Sequence, residues 1–210
     1  DIEGLDGGGG NEYQVTSISD IQNFSDIGSG DDCYPSLLSD SYVDVTGVVT
    51  AAKSDSSHFF IQDSTGAGVY VYNPANYAIV SVGDEINIHA QVDDYYGLTE
   101  LKNVNSYNII SNDNDIYVTN VLTGNLGLNC NESGELFEGM IVSVSNVTVE
   151  SINVEYNSVY INDGSGTAKI DDYIFDDLSS FPILQIGNEL SSITGVVHYY
   201  FGEYVIYPRD

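Results

Sequence analysis

Acidic side chains are the residues of this sequence with the clearest potential for chemistry. Thirty-two Asp and Glu residues face four Lys and Arg residues, which gives the 210-residue chain a formal net charge of −28. Calcium takes six to eight oxygen ligands from carboxylates, amides and carbonyls. We therefore predict at least one stabilising calcium site, with candidate ligands Asp31, Asp32, Asp93, Asp94, Glu100, Asp171, Asp172, Asp176 and Asp177.

The same charge has a second interpretation. None of these segments has the EF-hand spacing with its terminal Glu, so each is also consistent with a solvated acidic loop. A strongly negative surface keeps a protein soluble in a salty medium, where screening makes the charge tolerable. Under either interpretation the field repels phosphate backbones, and we expect no nucleic acid among the partners.

The sequence gives little support to catalysis. His58, His89 and His198 are far apart, and each lies on a predicted strand, where a structural or surface role is more common than metal binding. We find no nucleophile elbow, phosphate-binding loop or metal-binding His-Glu helix. In so acidic a chain, paired carboxylates arise by chance and do not indicate a glycosidase. We expect a protein that is not an enzyme.

The two cysteines point to an oxidising environment. Cys33 and Cys130 lie in separate polar segments without a CxxC spacing or a nearby histidine, which makes zinc and redox roles poor explanations. We predict one disulfide, with two free thiols as the alternative. Sequons at Asn23, Asn131 and Asn146 would permit glycosylation. Because we find neither a signal-peptide pattern nor a membrane-length apolar run, we expect the mature chain of a secreted protein with no membrane span.

Seventeen tyrosines and no tryptophan make up an unusual aromatic composition. Tyr70 and Tyr72 are two residues apart on a predicted strand and therefore share one face. Tyrosine suits barrel exteriors, interfaces and sugar stacking. Ordinary half-buried strand positions explain the pattern equally well.

These residues are positioned by a stretch that the chain uses twice. Residues 58–72 and 157–171 each read as a strand, an Asp-x-x-Gly turn and a second strand, and Asp63 precedes Asp163 by 100 residues. Asp accepts hydrogen bonds from turn amides, and Gly adopts a positive φ without steric cost. Both stretches therefore predict a β-hairpin, and we interpret the repeated motif as a turn-forming device.

The pattern around each hairpin predicts a barrel. Alternating apolar residues predict strands at 42–51, 58–63, 68–73, 86–92 and 98–104, with a bulge or bend at Gly47. The cycle repeats at 140–150, 158–162, 167–171, 191–199 and 203–207. We therefore predict an all-β fold of two tandem OB-fold-like Greek-key barrels. The divisions are a Gly-rich tail at 1–12, a first barrel at 13–110, a linker with a cysteine loop at 111–136 and a second barrel at 137–210.

Several segments together resemble the tandem OB-like modules of secreted bacterial proteins, the type found ahead of extracellular endonuclease/exonuclease/phosphatase domains. The similarity lies in residues 59–63, 82–84 and 96–101 of the first half, and in residues 137–140, 163–166 and 201–209 of the second. The resemblance implies tandem OB barrels in an extracellular, non-catalytic module.

Two functions follow from this organisation. We expect a structural subunit that assembles head-to-tail into a fibre or surface layer, a homo-polymer in which residues 1–12 dock on a neighbour's exposed sheet edge. The alternative is an accessory module that binds a ligand or glycan for a larger secreted nuclease or hydrolase. A free-standing enzyme is a third interpretation.

Overall fold

A computed structural model describes residues 15–75, 77–156, 158–172 and 183–209. The predicted tail at 1–12 and the calcium candidates Asp176 and Asp177 lie outside these residues. The first half begins with the one-turn helix α1 (Ile18–Ile21), followed by five strands: β1 (Tyr42–Ala52), β2 (His58–Gln62), β3 (Gly68–Tyr72), β4 (Glu85–Tyr95) and β5 (Leu98–Ser111). All five strands fall where the alternating pattern predicts them.

The five strands close into a barrel in the order β1-β2-β3-β5-β4. Strands β3 and β5 pair in parallel, and the ring closes through an antiparallel ladder between β1 and β4. This Greek-key order is that of an OB fold. The interior is filled by buried apolar side chains that include Val45, Phe59, Ile61, Ile86 and Leu101.

The second half repeats this topology. Its elements are β6 (Thr119–Asn120), α2 (Thr123–Leu126), α3 (Glu132–Glu135), β7 (Ile141–Asn153), β8 (Ser158–Asn162), β9 (Thr167–Ile170), β10 (Glu189–Tyr200) and β11 (Glu203–Pro208). The ring runs β7-β8-β9-β11-β10 and closes through β10 on β7, while β6 adds a short parallel strand beside β7. The all-β fold of two tandem OB-like barrels is confirmed.

Each barrel carries a bulge in its first strand, although not where the sequence indicated. The ladder between β1 and β2 shifts between Val49 and Ala51, which leaves Thr50 as the extra residue. Of the two alternatives predicted at Gly47, a bulge or a bend, the bulge is wrong, because Gly47 pairs regularly with Ile86. Glycine fits the close approach of the chains there, because a Cβ would make a tight contact of 3.1 Å with the carbonyl oxygen of Gln62.

Two further details differ from the prediction. Strand β5 runs to Ser111 rather than ending near 104, because Asn-rich residues continue to pair with β4. Helices α2 and α3 were not predicted, since four-residue helices are too short to show helical periodicity.

The barrels pack against each other through close backbone contact and one disulfide. A Cβ on Gly68 of β3 would overlap the carbonyl group of Gly139, just before β7. Cys33 and Cys130 are disulfide-bonded with their Cα atoms 5.8 Å apart, as predicted. Such a buried bond is typical of an oxidising environment. No helix in the described ranges is long and apolar enough to cross a membrane.

Candidate ligand-binding cleft

A cleft of about 1200 Å³ lies between the two barrels. Three surfaces converge on it: the β2–β3 face of the first barrel, the hairpin turn between β4 and β5, and the equivalent turn between β10 and β11. Each surface contributes aromatic rings, which are His58, Tyr70, Tyr72, Tyr95, Tyr96, Tyr200 and Phe201. Tyr70 and Tyr72 thus share a face, as predicted.

The two hairpin turns have the same backbone geometry. Tyr96 and Gly97 have φ values of 51° and 87°, and Phe201 and Gly202 have values of 51° and 82°. Positive φ at both central residues gives a type I′ turn, whose twist matches that of the flanking strands. A bulky residue with positive φ is unusual, and such strain is often found at functional sites. Tyr96 and Phe201 are 67% and 86% exposed, so both rings stand at the mouth of the cleft.

The floor of the cleft is an aromatic cluster that joins the barrels. The Nδ1 atom of His58 and the hydroxyl of Tyr70 are hydrogen-bonded, and the ring of His198 meets that of Tyr70 edge-on at 4.9 Å. Burial lowers the pKa of His198 to about 3, so its imidazole is neutral at physiological pH. No sequence pattern predicts that His58 and His198 both contact Tyr70, because the two histidines come from different barrels.

Acidic residues surround the aromatic surface. Four of the calcium candidates line the cleft, namely Asp31, Asp32, Asp93 and Glu100. The Nζ atom of Lys102 lies 2.6 Å from Asp93 Oδ2, which neutralises that carboxylate. Glu100 is only 5% exposed, and no described residue hydrogen-bonds its side chain. Burial, reinforced by the charge of Asp93, raises the pKa of Glu100 to about 7.

The calcium candidates do not assemble into a metal centre in the part of the chain that the structure describes. No group of three or more His, Cys, Asp or Glu side chains there is arranged to hold a metal ion. Asp94 accepts hydrogen bonds from the amide of Ser36 and the hydroxyl of Thr99, each at 3.0 Å. Asp171 accepts a hydrogen bond from Ser158 and is followed directly by Asp172. Calcium binding stays a prediction.

Two further carboxyl groups are buried where the barrels meet. The hydroxyl of Tyr204 donates to Glu135 Oε2 at 2.7 Å, and the amide of Thr99 donates to Glu138 Oε1 at 2.9 Å. Burial raises the pKa of Glu135 to about 8 and raises that of Glu138 as well. Glu138 Oε2 and Asp94 Oδ2 have no hydrogen-bond partner among the described residues. The sequence did not single out Glu135 or Glu138, because acids in a polar segment normally face solvent.

The sequons lie in different surroundings. Asn23 and Asn146 are exposed. The side chain of Asn131 instead caps α3 by accepting a hydrogen bond from the amide of Gly134 at 2.8 Å. Its Nδ2 group donates to the carbonyls of Leu126 and Asn129, so a glycan on Asn131 would remove one of these donors.

Comparisons with known proteins add little. No family model matches the chain, and no curated protein matches it. The chain is similar to a solved structure described as "Crystal structure of the tetrameric p202 HIN2", with a TM-score of 0.39 and 15% identity over 80% of this chain and 91% of that one. A second, described as "Structural mimicry for functional antagonism", has a TM-score of 0.38 and 15% identity over 81% of this chain and 93% of that one. Likenesses at this level carry no functional argument.

Proposed function

We propose that this chain is a non-catalytic extracellular module that binds a carbohydrate in the cleft between its barrels. The observation that carries the proposal is the convergence of the β2–β3 face and two β4–β5-type hairpin turns on one aromatic cleft. In OB folds these same surfaces hold oligonucleotides and oligosaccharides. The proposal corresponds to the ligand-binding alternative given by the sequence, and it fits the resemblance to modules of secreted proteins.

The chemistry of the cleft favours sugar over nucleic acid. Tyrosine rings offer flat apolar faces for the C–H surfaces of a sugar ring, with a polar hydroxyl at the edge. Carboxylates such as Asp31 and Asp32 accept hydrogen bonds from sugar hydroxyls. The same carboxylates, in a chain of net charge −28, repel a phosphate backbone.

A glycan array followed by calorimetry on the hits tests this function. Replacing Tyr200 by Ala removes one cleft ring, and we expect affinity to fall roughly tenfold, or about 1.4 kcal/mol. The matched control is Tyr117→Ala, because Tyr117 is 80% exposed and lies outside the cleft. Equal affinities of the two variants for every hit, or an array without hits, would remove support for carbohydrate binding.

Self-assembly is the second candidate function, and one observation favours it. Residues 106–111 of β5 pair with β4 along one edge, and among the described residues no strand pairs with their other edge. Tyr107, Ile109 and Ile110 are exposed along this stretch. An exposed apolar edge strand is suited to strand addition from another molecule.

The predicted occupant of this edge is the tail at residues 1–12 of a neighbouring copy. Deleting residues 1–12 should then abolish polymers, and Ile110→Lys should do the same by placing a charge on the edge. The matched control is Val154→Lys, at an exposed position outside this edge. Fibres of unchanged length in negative-stain microscopy of the deletion variant would contradict assembly through the tail.

A further inference from the structure

We infer that the cleft binds an uncharged polysaccharide along its chain, with separate sugar rings stacked on the two hairpin turns at its mouth. The inference rests on the proposed function and adds the class of the ligand. The tip of each turn is a pair of adjacent aromatic residues, which we call an aromatic tip. The first tip is Tyr95 and Tyr96, between β4 and β5, and the second is Tyr200 and Phe201, between β10 and β11.

The two aromatic tips have the same construction. The rings of Tyr95 and Tyr96 meet edge-on with their centroids 4.9 Å apart, and those of Tyr200 and Phe201 do so at 4.4 Å. The side chain of each of these residues is at least 45% exposed. Apolar rings that stand in solvent at equivalent positions of both barrels are not part of either core, and such patches mark binding surfaces.

The difference between the tips shows which part of the side chain matters. Phe201 occupies the position in the second turn that Tyr96 occupies in the first, so the two tips share a ring face and not a hydroxyl. A ring face binds the C–H surface of a sugar by stacking. Each tip therefore suits one sugar ring.

The ring of Tyr199 lies between the two turns and fixes their separation. A Cβ on Gly97 of the first turn would lie 2.7 Å from Tyr199 Cε1 and 2.8 Å from the Cβ of Cys33. A Cβ on Gly202 of the second turn would lie 3.9 Å from the hydroxyl of the same tyrosine. Tyr199 is buried, and Cys33 is held by the disulfide. Two tips at a fixed separation suit a ligand that repeats its rings along a chain, because neither tip has to be ordered on binding.

The size and charge of the cleft fit a neutral chain. Its volume of about 1200 Å³ exceeds the range of about 300–1,000 Å³ that is usual for small-molecule sites, so several sugar residues can enter it. Among the described residues that line the cleft, Lys102 is the only Lys or Arg, and its Nζ atom lies 2.6 Å from Asp93 Oδ2. An acidic polysaccharide therefore meets no unpaired Lys or Arg in the described lining, and the net charge of −28 repels it.

Contact with both tips at once predicts that affinity depends strongly on chain length. Once a sugar ring is bound on one tip, the chain holds its next rings at a high effective concentration near the other tip. A single sugar occupies one tip only and gains nothing from the second. A hexasaccharide should therefore bind more tightly than the single sugar by on the order of a hundredfold.

Affinity electrophoresis in native gels provides the first test. The gels contain one of four soluble uncharged polysaccharides, namely mixed-linkage β-glucan, xyloglucan, galactomannan or pullulan, or they contain alginate as an acidic counterpart. At least one uncharged polysaccharide should retard the chain, and alginate should not. For a polysaccharide that retards the chain, calorimetry then compares a hexasaccharide of its backbone with the methyl glycoside of the backbone sugar.

Variants of the two tips provide the second test. Tyr96→Ala and Phe201→Ala should each weaken hexasaccharide binding at least tenfold and change binding of the methyl glycoside little, because the other tip still binds a single sugar. Tyr96→Phe keeps the ring and should keep the native affinity for the hexasaccharide. The control is Tyr117→Ala, which removes an exposed ring outside the cleft and should behave like the native chain. Circular dichroism establishes that the variants are folded.

Several results would overturn the inference while leaving carbohydrate binding intact. They are retardation by alginate, array hits confined to single terminal sugars, equal affinities of the native chain for the hexasaccharide and the methyl glycoside, and native hexasaccharide affinity in both Ala variants. A lack of retardation by all four uncharged polysaccharides would overturn it as well. If the glycan array also gives no hits, the proposed function itself is contradicted.

Discussion

The carboxylate of Asp163 accepts hydrogen bonds from the backbone amide of Thr123 at 3.1 Å and from its hydroxyl at 2.7 Å. Thr123 is the first residue of α2. In the first barrel, Asp63 accepts a hydrogen bond from the amide of Ile18, the first residue of α1, at 2.7 Å. Each Asp also accepts a hydrogen bond from the backbone amide of the residue two positions later in its own turn. The repeated Asp therefore shapes the hairpin and also anchors the helix that precedes its barrel.

Replacing Asp163 by Ala should destabilise the second barrel by about 1–3 kcal/mol, because Thr123 loses the acceptor for its amide. Although burial opposes ionisation, hydrogen bonds from Ser165 and Thr123 lower the pKa of Asp163 to about 2. A lowered folded-state pKa stabilises the fold above the ordinary value of 3.8, and this contribution is lost as the pH falls towards 2. Urea unfolding at neutral pH measures the loss, with Asp115→Ala at an exposed position as the control.

The buried acids at the barrel junction predict the opposite dependence on pH. The folded-state pKa values of Glu100, Glu135 and Glu138 all lie above the ordinary value of 4.5. The folded chain then binds more protons than the unfolded chain between about pH 4.5 and 8, so stability is highest at the acidic end and falls as the pH rises. Each group contributes up to about 1.4 kcal/mol per pH unit in this window.

Glu138→Gln isolates this effect from the repulsion that accompanies a net charge of −28. The variant should melt at a higher temperature than the native chain at pH 8 and at a similar temperature at pH 4.5, because Gln cannot ionise. Glu155→Gln removes one exposed charge and should change the melting temperature little at either pH. If the melting temperatures of Glu138→Gln and Glu155→Gln depend on pH in the same way, protonation of Glu138 does not contribute to stability.

The disulfide should account for a large share of the stability. It links residues 97 positions apart, and closing a loop of this length is worth about 4–5 kcal/mol in the chain-entropy model. A chain with Cys33→Ser and Cys130→Ser should lose roughly this amount in urea unfolding. It should also bind cleft ligands more weakly. Asp31 and Asp32 line the cleft from the loop that the disulfide holds in place at Cys33. Full stability of the double variant would show that packing alone fixes the barrels.

Calcium should raise the melting temperature, and EDTA should lower it, if any of the acidic segments binds the ion. Magnesium at the same concentration is the control for simple charge screening, because it prefers octahedral sites and keeps its water ligands. Coincident melts in calcium, magnesium and EDTA would reject the calcium prediction.

The strands could be predicted from the sequence because their apolar residues alternate and because the whole cycle occurs twice. The extension of β5 to Ser111 could not be predicted, since residues 103–111 are mostly exposed and show no apolar alternation, and their strand conformation depends on pairing with β4. The bulge falls at Thr50 rather than at Gly47 because register depends on the partner strand, which no local pattern reveals.

The cleft was only partly visible in the sequence. The similarity of Tyr95-Tyr96-Gly97 to Tyr200-Phe201-Gly202 marks two equivalent turns. That both turns line one cleft depends on how the barrels dock, which rests on tertiary contacts such as that of Gly68 with Gly139 and on the disulfide. The burial of Glu100 could not be predicted either, because in the sequence it does not differ from the many acidic residues expected at the surface.

The most direct measurement of ligand binding in the cleft is amide chemical-shift mapping of the labelled chain during titration with a carbohydrate identified on the array. The account predicts shifts at Tyr72, Tyr96 and Phe201, which lie on the three surfaces of the cleft. A smaller groove of about 450 Å³ on the second barrel, lined in part by Val121 and Asn146, should be unaffected. Shifts confined to that groove, or scattered over the acidic surface without saturation, would contradict the account.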